Sequence, residues 1–178
     1  MNQTTAIQRL ADYDRKGRYV FTSNDLGKIF YEDSPRSVRA SIQRMVRSGI
    51  LTRAIKGVFV NNLSQNRSSS TLELIAKALR RGEYSYISLE SALSEYGAIS
   101  QIPIDRITVM TTGRKGEYKT PYGVIEFTHT KRSVNELIDN ILEVNRPLRM
   151  AKKDIAYRDL KRVGRNLHLV DKEDFYND

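Results

Sequence analysis

Ser34-Pro35-Arg36-Ser37-Val38-Arg39-Ala40-Ser41-Ile42-Gln43-Arg44-Met45-Val46-Arg47-Ser48-Gly49 is the stretch whose reading decides the fold. A serine hydroxyl able to cap, a proline at the first helical position and a closing glycine bound a single helix. At about 100° per residue, Val38, Ile42, Met45 and Val46 fall on one face, which must pack inward. The opposite face carries Arg36, Ala40, Gln43 and Arg47, flanked by Ser37, Arg39 and Arg44.

Working outward, two helices precede this one. The first runs from Asn2 to about Lys16, with Ile7, Leu10, Ala11 and Tyr13 at helical spacing, and Gly17 breaks it. The second is capped by Thr22, with Asp25 three positions on and Phe21 placed to staple Leu26; it ends near Tyr31. After Gly49, Ile50 to Ala54 and Val58 to Val60 read as two strands joined by a tight Ile55-Lys56-Gly57 turn. Three short helices and a hairpin make the winged helix-turn-helix plan, with the hairpin as the wing.

Residues 61–70 are polar and serine-rich, which reads as a linker. Beyond it the pattern predicts a helix over 71–81, a short strand over 84–87 and a helix capped by Ser88 that reaches Gly97. Strands over 106–112 and 124–130 follow, with Ile107/Val109 and Ile125/Phe127 as inward pairs and a polar, mobile loop at 113–123 between them. Helices over 134–144 and 152–163 close the chain. The expected fold class is α+β: a winged helix-turn-helix over 1–62, then a small mixed α/β domain over 71–178.

The side chains on the third helix are those that read a major groove. Arginine grips guanine bidentately, glutamine does the same for adenine, and alanine touches a thymine methyl. Arg36, Arg39, Ala40, Gln43, Arg44 and Arg47 supply that set, and Ser37 near the helix start suits a phosphate. Arg53 and Lys56 of the wing reach flanking phosphates or a minor groove. Charge points the same way. The chain carries a formal +9, of which residues 1–62 hold +6, and no acid lies between Asp33 and Glu73. The partner read from these residues is double-stranded DNA. Two rivals are a basic face that merely meets water and a protein-interaction module that docks a partner without reading bases.

Catalysis finds little support. There are no cysteines, and His129 and His168 stand without a helical ligand pattern, so no metal site, cofactor or thiol chemistry is expected. No nucleophile-elbow pattern is present. Gly113-Arg114-Lys115-Gly116 lacks the spacing of a phosphate cradle and reads as a hairpin loop, though Arg114, Lys115 and Lys119 suit phosphate contacts. The late basic run from Arg146 to Arg165, interleaved with Asp154 and Asp159, reads first as a solvated face and more boldly as a second DNA surface. With no leader-like start and no apolar run near the ~20 residues of a membrane span, a cytoplasmic protein without membrane contact is expected.

Tyr86-Ile87-Ser88-Leu89-Glu90-Ser91-Ala92-Leu93, then Ile107-Thr108-Val109, Gly113-Arg114 and Phe127-Thr128-His129, together resemble the AbiEi-type antitoxins of type IV toxin–antitoxin systems. In that family a winged helix precedes a domain opening with a YxSLxSAL-like stretch. Ala151-Lys152-Lys153-Asp154-Ile155-Ala156-Tyr157-Arg158-Asp159-Leu160 is similar to its closing helix, so the resemblance covers about residues 5–165. It implies a repressor that binds repeats in its own promoter within a phage-defence locus. Such a protein counters a nucleotidyltransferase-like toxin from a neighbouring gene without having to bind it. The matching DNA-contact positions are Arg36, Ser37, Arg39, Ala40, Gln43, Arg44, Arg53 and Lys56. No segment stands out as a dimerisation helix, so cooperative monomers and a preformed dimer are equally compatible with the sequence.

Overall fold

Asn2 accepts the Thr5 N–H at 2.8 Å and so opens α1 (Gln3–Asp14). β1 (Val20–Thr22) follows. Thr22 and Asp25 then bond each other's backbone N–H groups reciprocally and start α2 (Ser23–Ile29). Ser34 accepts the Ser37 N–H at 3.2 Å and Pro35 fills the first position of α3 (Pro35–Arg47). β2 (Leu51–Ile55) and β3 (Val58–Asn61) form the hairpin, whose turn needs the left-handed backbone of Gly57 at φ +82. The structure, a computed structural model, describes residues 2–100 and 104–176, so the outer ends of the expected 1–62 and 71–178 domains and residues 101–103 lie outside it.

The protein is α+β, with a winged helix-turn-helix followed by a mixed α/β unit. The two compact units are Met1–Leu79 and Arg80–Asp178. In the first, β1 pairs antiparallel with β3, giving the strand order β1-β3-β2. Phe21, which the sequence placed as a helix staple, is a fully buried residue of β1, packed with Leu10, Leu26, Phe30, Val38, Ile42, Met45 and Leu51. Each such side chain contributes about 1.5–3 kcal/mol by leaving water.

The expected linker is not a free one. Asn61 and Ser64 are buried. The Asp14 carboxylate at the end of α1 accepts the Ser64 hydroxyl, the Gln65 N–H at 3.0 Å and the Asn66 amide at 2.9 Å. Next comes α4 (Thr71–Leu79), expected to open the second domain. It packs instead on β1 and β3, and the Tyr19 hydroxyl meets Thr71 Oγ1 at 3.0 Å. Its apolar residues Leu72, Ile75 and Ala76 are buried, which is why the first unit runs on past residue 62.

The second unit is built from β4 (Ser85–Ile87), α5 (Leu89–Glu95), β5 (Arg106–Thr111), β6 (Gly116–Thr120) and β7 (Gly123–His129). It continues with α6 (Val134–Asn140), β8 (Ile141–Leu142), β9 (Arg149–Ala151) and α7 (Lys153–Val163), and ends in a 3-10 turn (Leu167–Leu169) and α8 (Lys172–Tyr176). Among the described residues the strand order is β6-β7-β5-β4-β9-β8, with β5/β7 and β4/β9 parallel. The 113–123 segment is therefore no mobile loop, because residues 116–120 pair antiparallel with β7. As an edge strand, β6 shows Glu117 and Lys119 to water and so lacks an apolar signal. The helix expected over 134–144 stops at Asn140, where Ile141 and Leu142 turn away to pair with β9. Of the inward pairs, Val109, Ile125 and Phe127 are buried and Ile107 is half-buried.

Ser88 precedes α5 but makes no cap. Its hydroxyl donates to Asp159 Oδ2 at 2.7 Å, where the Tyr86 hydroxyl also donates, and Arg132 pairs with Asp159 Oδ1. Burial, aided by the Asp159 charge, pushes the Tyr86 phenol up to about 12. The raised value means the neutral phenol is favoured in the fold, so this stabilisation is present below pH 10.0 and is lost as pH rises toward about 12. Denaturant unfolding at stepped alkaline pH is expected to show that decline. Tyr86→Phe, about 1 kcal/mol less stable at neutral pH through its lost hydrogen bonds, is expected to flatten it.

Candidate nucleic-acid interface

The inward stripe of α3, Val38, Ile42 and Met45, is buried, and this fixes where the polar residues point. Arg36, Arg39, Gln43, Arg44 and Arg47 are exposed, while Ser37 and Ala40 are half-covered. Arg53 is exposed on β2, and Lys56 is exposed at the hairpin turn. That turn is held in place, because the Gly57 carbonyl accepts the Ser23 N–H of α2 at 2.9 Å.

Between α2, α3 and the hairpin lies a groove of about 920 Å³. Arg39, Gln43 and Arg47 line it from α3 and Arg53 from β2, over an apolar floor that includes Ile42 and Phe59. The other sequence-derived candidates are distributed differently. Arg36 and Ala40 share the outward ridge of α3 with Arg47, by helical spacing. Arg44 is on the opposite flank, donating to Ser41 Oγ at 2.8 Å beside the capping Asn2 and Gln3 of α1. Ser37, Arg36, Ala40 and Lys56 do not line the groove.

Sequence reasoning missed the facing wall. Ser23, Asn24, Gly27 and Lys28 of α2 line the same groove. The available signal was the polar side of α2 opposite Leu26, Ile29 and Phe30. Gly27 was a further sign, because glycine inside a helix costs about 0.5–1 kcal/mol relative to alanine.

The electrostatics separate cleanly. Most acids of the first unit are tied to cations or donors away from α3: Asp25 to Arg18, Glu32 to Arg9 and Asp12 to Arg15, each at 2.8 Å. The hydrogen bond and charge of Arg9 hold the Glu32 carboxyl below the usual carboxylate range. Burial raises the Asp14 carboxyl, yet the bonds from Ser64, Asn66 and Gln65 outweigh it and leave the group below its ordinary value. Among the described residues, Arg36, Arg39, Arg47, Arg53 and Lys56 have no carboxylate within ion-pair distance. Asp33 is the one acid among the residues lining the groove.

The late basic run is, by contrast, largely engaged. Arg146 pairs with Glu95 at 2.7 Å and Arg149 with Glu143 at 2.8 Å, while Arg165 pairs with both Glu90 and Glu126. Burial raises the Glu90 carboxyl, but Arg165 and Asn166 bring it below its ordinary value. Near the Gly113 turn, Arg80 donates to the Arg114 carbonyl and stacks 4.1 Å over Phe127, and His129 Nδ1 lies 2.9 Å from the Gly113 carbonyl. Among the described residues, no three His, Asp or Glu side chains gather as metal ligands, and no helix is long and apolar enough to cross a membrane.

No protein-family model and no curated protein matches the chain. Among solved structures it is similar to the crystal structure of the RV2827C protein from Mycobacterium tuberculosis, at a TM-score of 0.50 and 18% identity. The match covers 76% of this chain and 48% of that one, so the chain spans about half the length of that protein. At this identity the likeness is one of fold.

Exposed cations without ion-pair partners hold nothing in the fold together. Alanine at Arg36, Arg39, Arg47 or Arg53 is expected to change unfolding free energy by no more than about 0.5 kcal/mol in chemical denaturation. Arg18→Ala, which strips the buried Asp25 of its cation, is expected to cost about 1 kcal/mol. Equal losses at all five positions would contradict this division between structural and unpaired cations.

Proposed function

We propose that the protein is a sequence-specific binder of duplex DNA, with α3 entering the major groove and the β2–β3 hairpin beside the sugar–phosphate backbone. The observation that carries this reading is the row of Arg39, Gln43, Arg47 and Arg53 along one groove, its arginines without ion pairs while Asp25 and Glu32 are held by Arg18 and Arg9 and Asp33 is the one acid lining it. Cations clustered on one face without compensating carboxylates release counterions from a polyanion, and Arg and Gln offer bidentate base contacts. Arg44, on the α1 flank, and Lys56, at the turn, fit phosphates outside the groove rather than base edges.

The regulatory role follows from the resemblance to AbiEi-type antitoxins: a cytoplasmic, non-enzymatic repressor of its own promoter, acting against a nucleotidyltransferase-like toxin encoded nearby. In this reading the toxin is countered without direct binding, and the second unit carries the antitoxin part.

Fluorescence anisotropy over a salt series tests the DNA reading, comparing the duplex upstream of the protein's own gene with a scrambled one. The native duplex is expected to bind tighter and to hold at physiological salt. Arg39→Ala and Gln43→Ala are each expected to remove about 1–3 kcal/mol of that preference. Arg53→Ala is expected to weaken both duplexes alike and to lower the salt slope by about 0.9. Weak binding that is equal for both duplexes and erased by salt would contradict DNA readout and favour a protein-docking role.

A further inference from the structure

Gly27 sits inside α2, where glycine weakens a helix relative to alanine, and neither usual reason for a glycine applies. Its backbone is outside the left-handed region that excludes other residues. A Cβ built on it would meet no heavy atom within 4 Å, so no neighbour in the fold requires the space. The bare Cα faces the groove, on the same wall as Asn24, three positions before it, and Lys28, the next residue. Both side chains are exposed and polar, and Arg39 and Gln43 line the opposite wall.

We propose that Gly27 is a close-approach point at which the sugar–phosphate backbone of one DNA strand lies directly against α2, with Asn24 and Lys28 as its polar partners. This rests on the duplex-binding reading above and adds a second wall to that interface, one that positions the duplex without reading bases. A side chain at position 27 would hold the strand away from α2 and lengthen the contact of the short Asn24 side chain.

The test compares the full chain with its Gly27→Ala, Gly27→Leu, Lys28→Ala and Arg39→Ala variants, by thermal unfolding and by anisotropy on the native and scrambled duplexes. Gly27→Ala is expected to unfold at the same temperature or higher, yet to bind both duplexes about tenfold more weakly, equivalent to about 1.4 kcal/mol. Gly27→Leu is expected to bind more weakly still, and Lys28→Ala to lower affinity for both duplexes, each with the ratio between them kept. Wild-type affinity in Gly27→Ala, alongside lost preference in Arg39→Ala, would overturn the close approach and leave the DNA reading standing. A lowered unfolding temperature in Gly27→Ala would overturn it too, by assigning the glycine to the fold. A wild-type protein with no preferred duplex, unchanged by Arg39→Ala, would remove both.

Discussion

The burial of Val38, Ile42 and Met45 against Phe21, Leu26, Phe30 and Leu51 sets how far α3 is rolled about its own axis. A helix with one apolar stripe has one roll that keeps that stripe dry. Turning α3 by a single residue would carry an arginine into the core, where a charge without a partner costs several kcal/mol. The outward positions of Arg36, Arg39, Gln43 and Arg47 are thus consequences of packing. The hairpin is set as firmly, because β3 is held between β1 and β2 and the Gly57 carbonyl is bonded to the first residue of α2. Groove walls and core are different faces of the same elements.

The second determinant is where the acids go. Asp25 accepts the Thr22 N–H in the capping box of α2 and also pairs with Arg18, so one buried carboxylate is used twice. Glu32 is held by Arg9, whose guanidinium also donates to the Ile29 carbonyl at the end of α2. Cations from α1 and the segment after it therefore neutralise Asp25 and Glu32. The cations of α3 and the hairpin are left without ion pairs and outnumber Asp33, the one acid lining their groove. The second unit shows the opposite habit. Arg146, Arg149 and Arg165 are drawn into pairs with Glu90, Glu95, Glu126 and Glu143, and Arg132 with the fully buried Asp159, so these charges serve internal order.

Where local chemistry decides an element, the sequence was readable. The Thr22/Asp25 box, Ser34-Pro35 and the Gly57 turn each name their own structure, and the seam of α3 follows from its period. Where pairing with a distant strand decides, it was not. β1 is three residues long, too short to alternate, and exists because β3 lies beside it. β6 carries the polar face of an edge strand, and β8 claims two residues that helical periodicity had assigned to α6. Ser88 has the residue type of a cap but is drawn away by Asp159, 71 positions further along the chain. The α3 side of the groove was legible for the same reason as the fold. The α2 side was less so, since Ser23, Asn24, Gly27 and Lys28 carry no motif beyond a polar helix face and an interior glycine.

The most direct measurement of the central claim is amide hydrogen–deuterium exchange of the full chain, alone and with the duplex from upstream of its own gene. Protection is expected to concentrate in α2, α3 and residues 51–58, with the interior of the second unit unchanged. Protection confined to the second unit, or none at a duplex concentration that saturates binding, would contradict it.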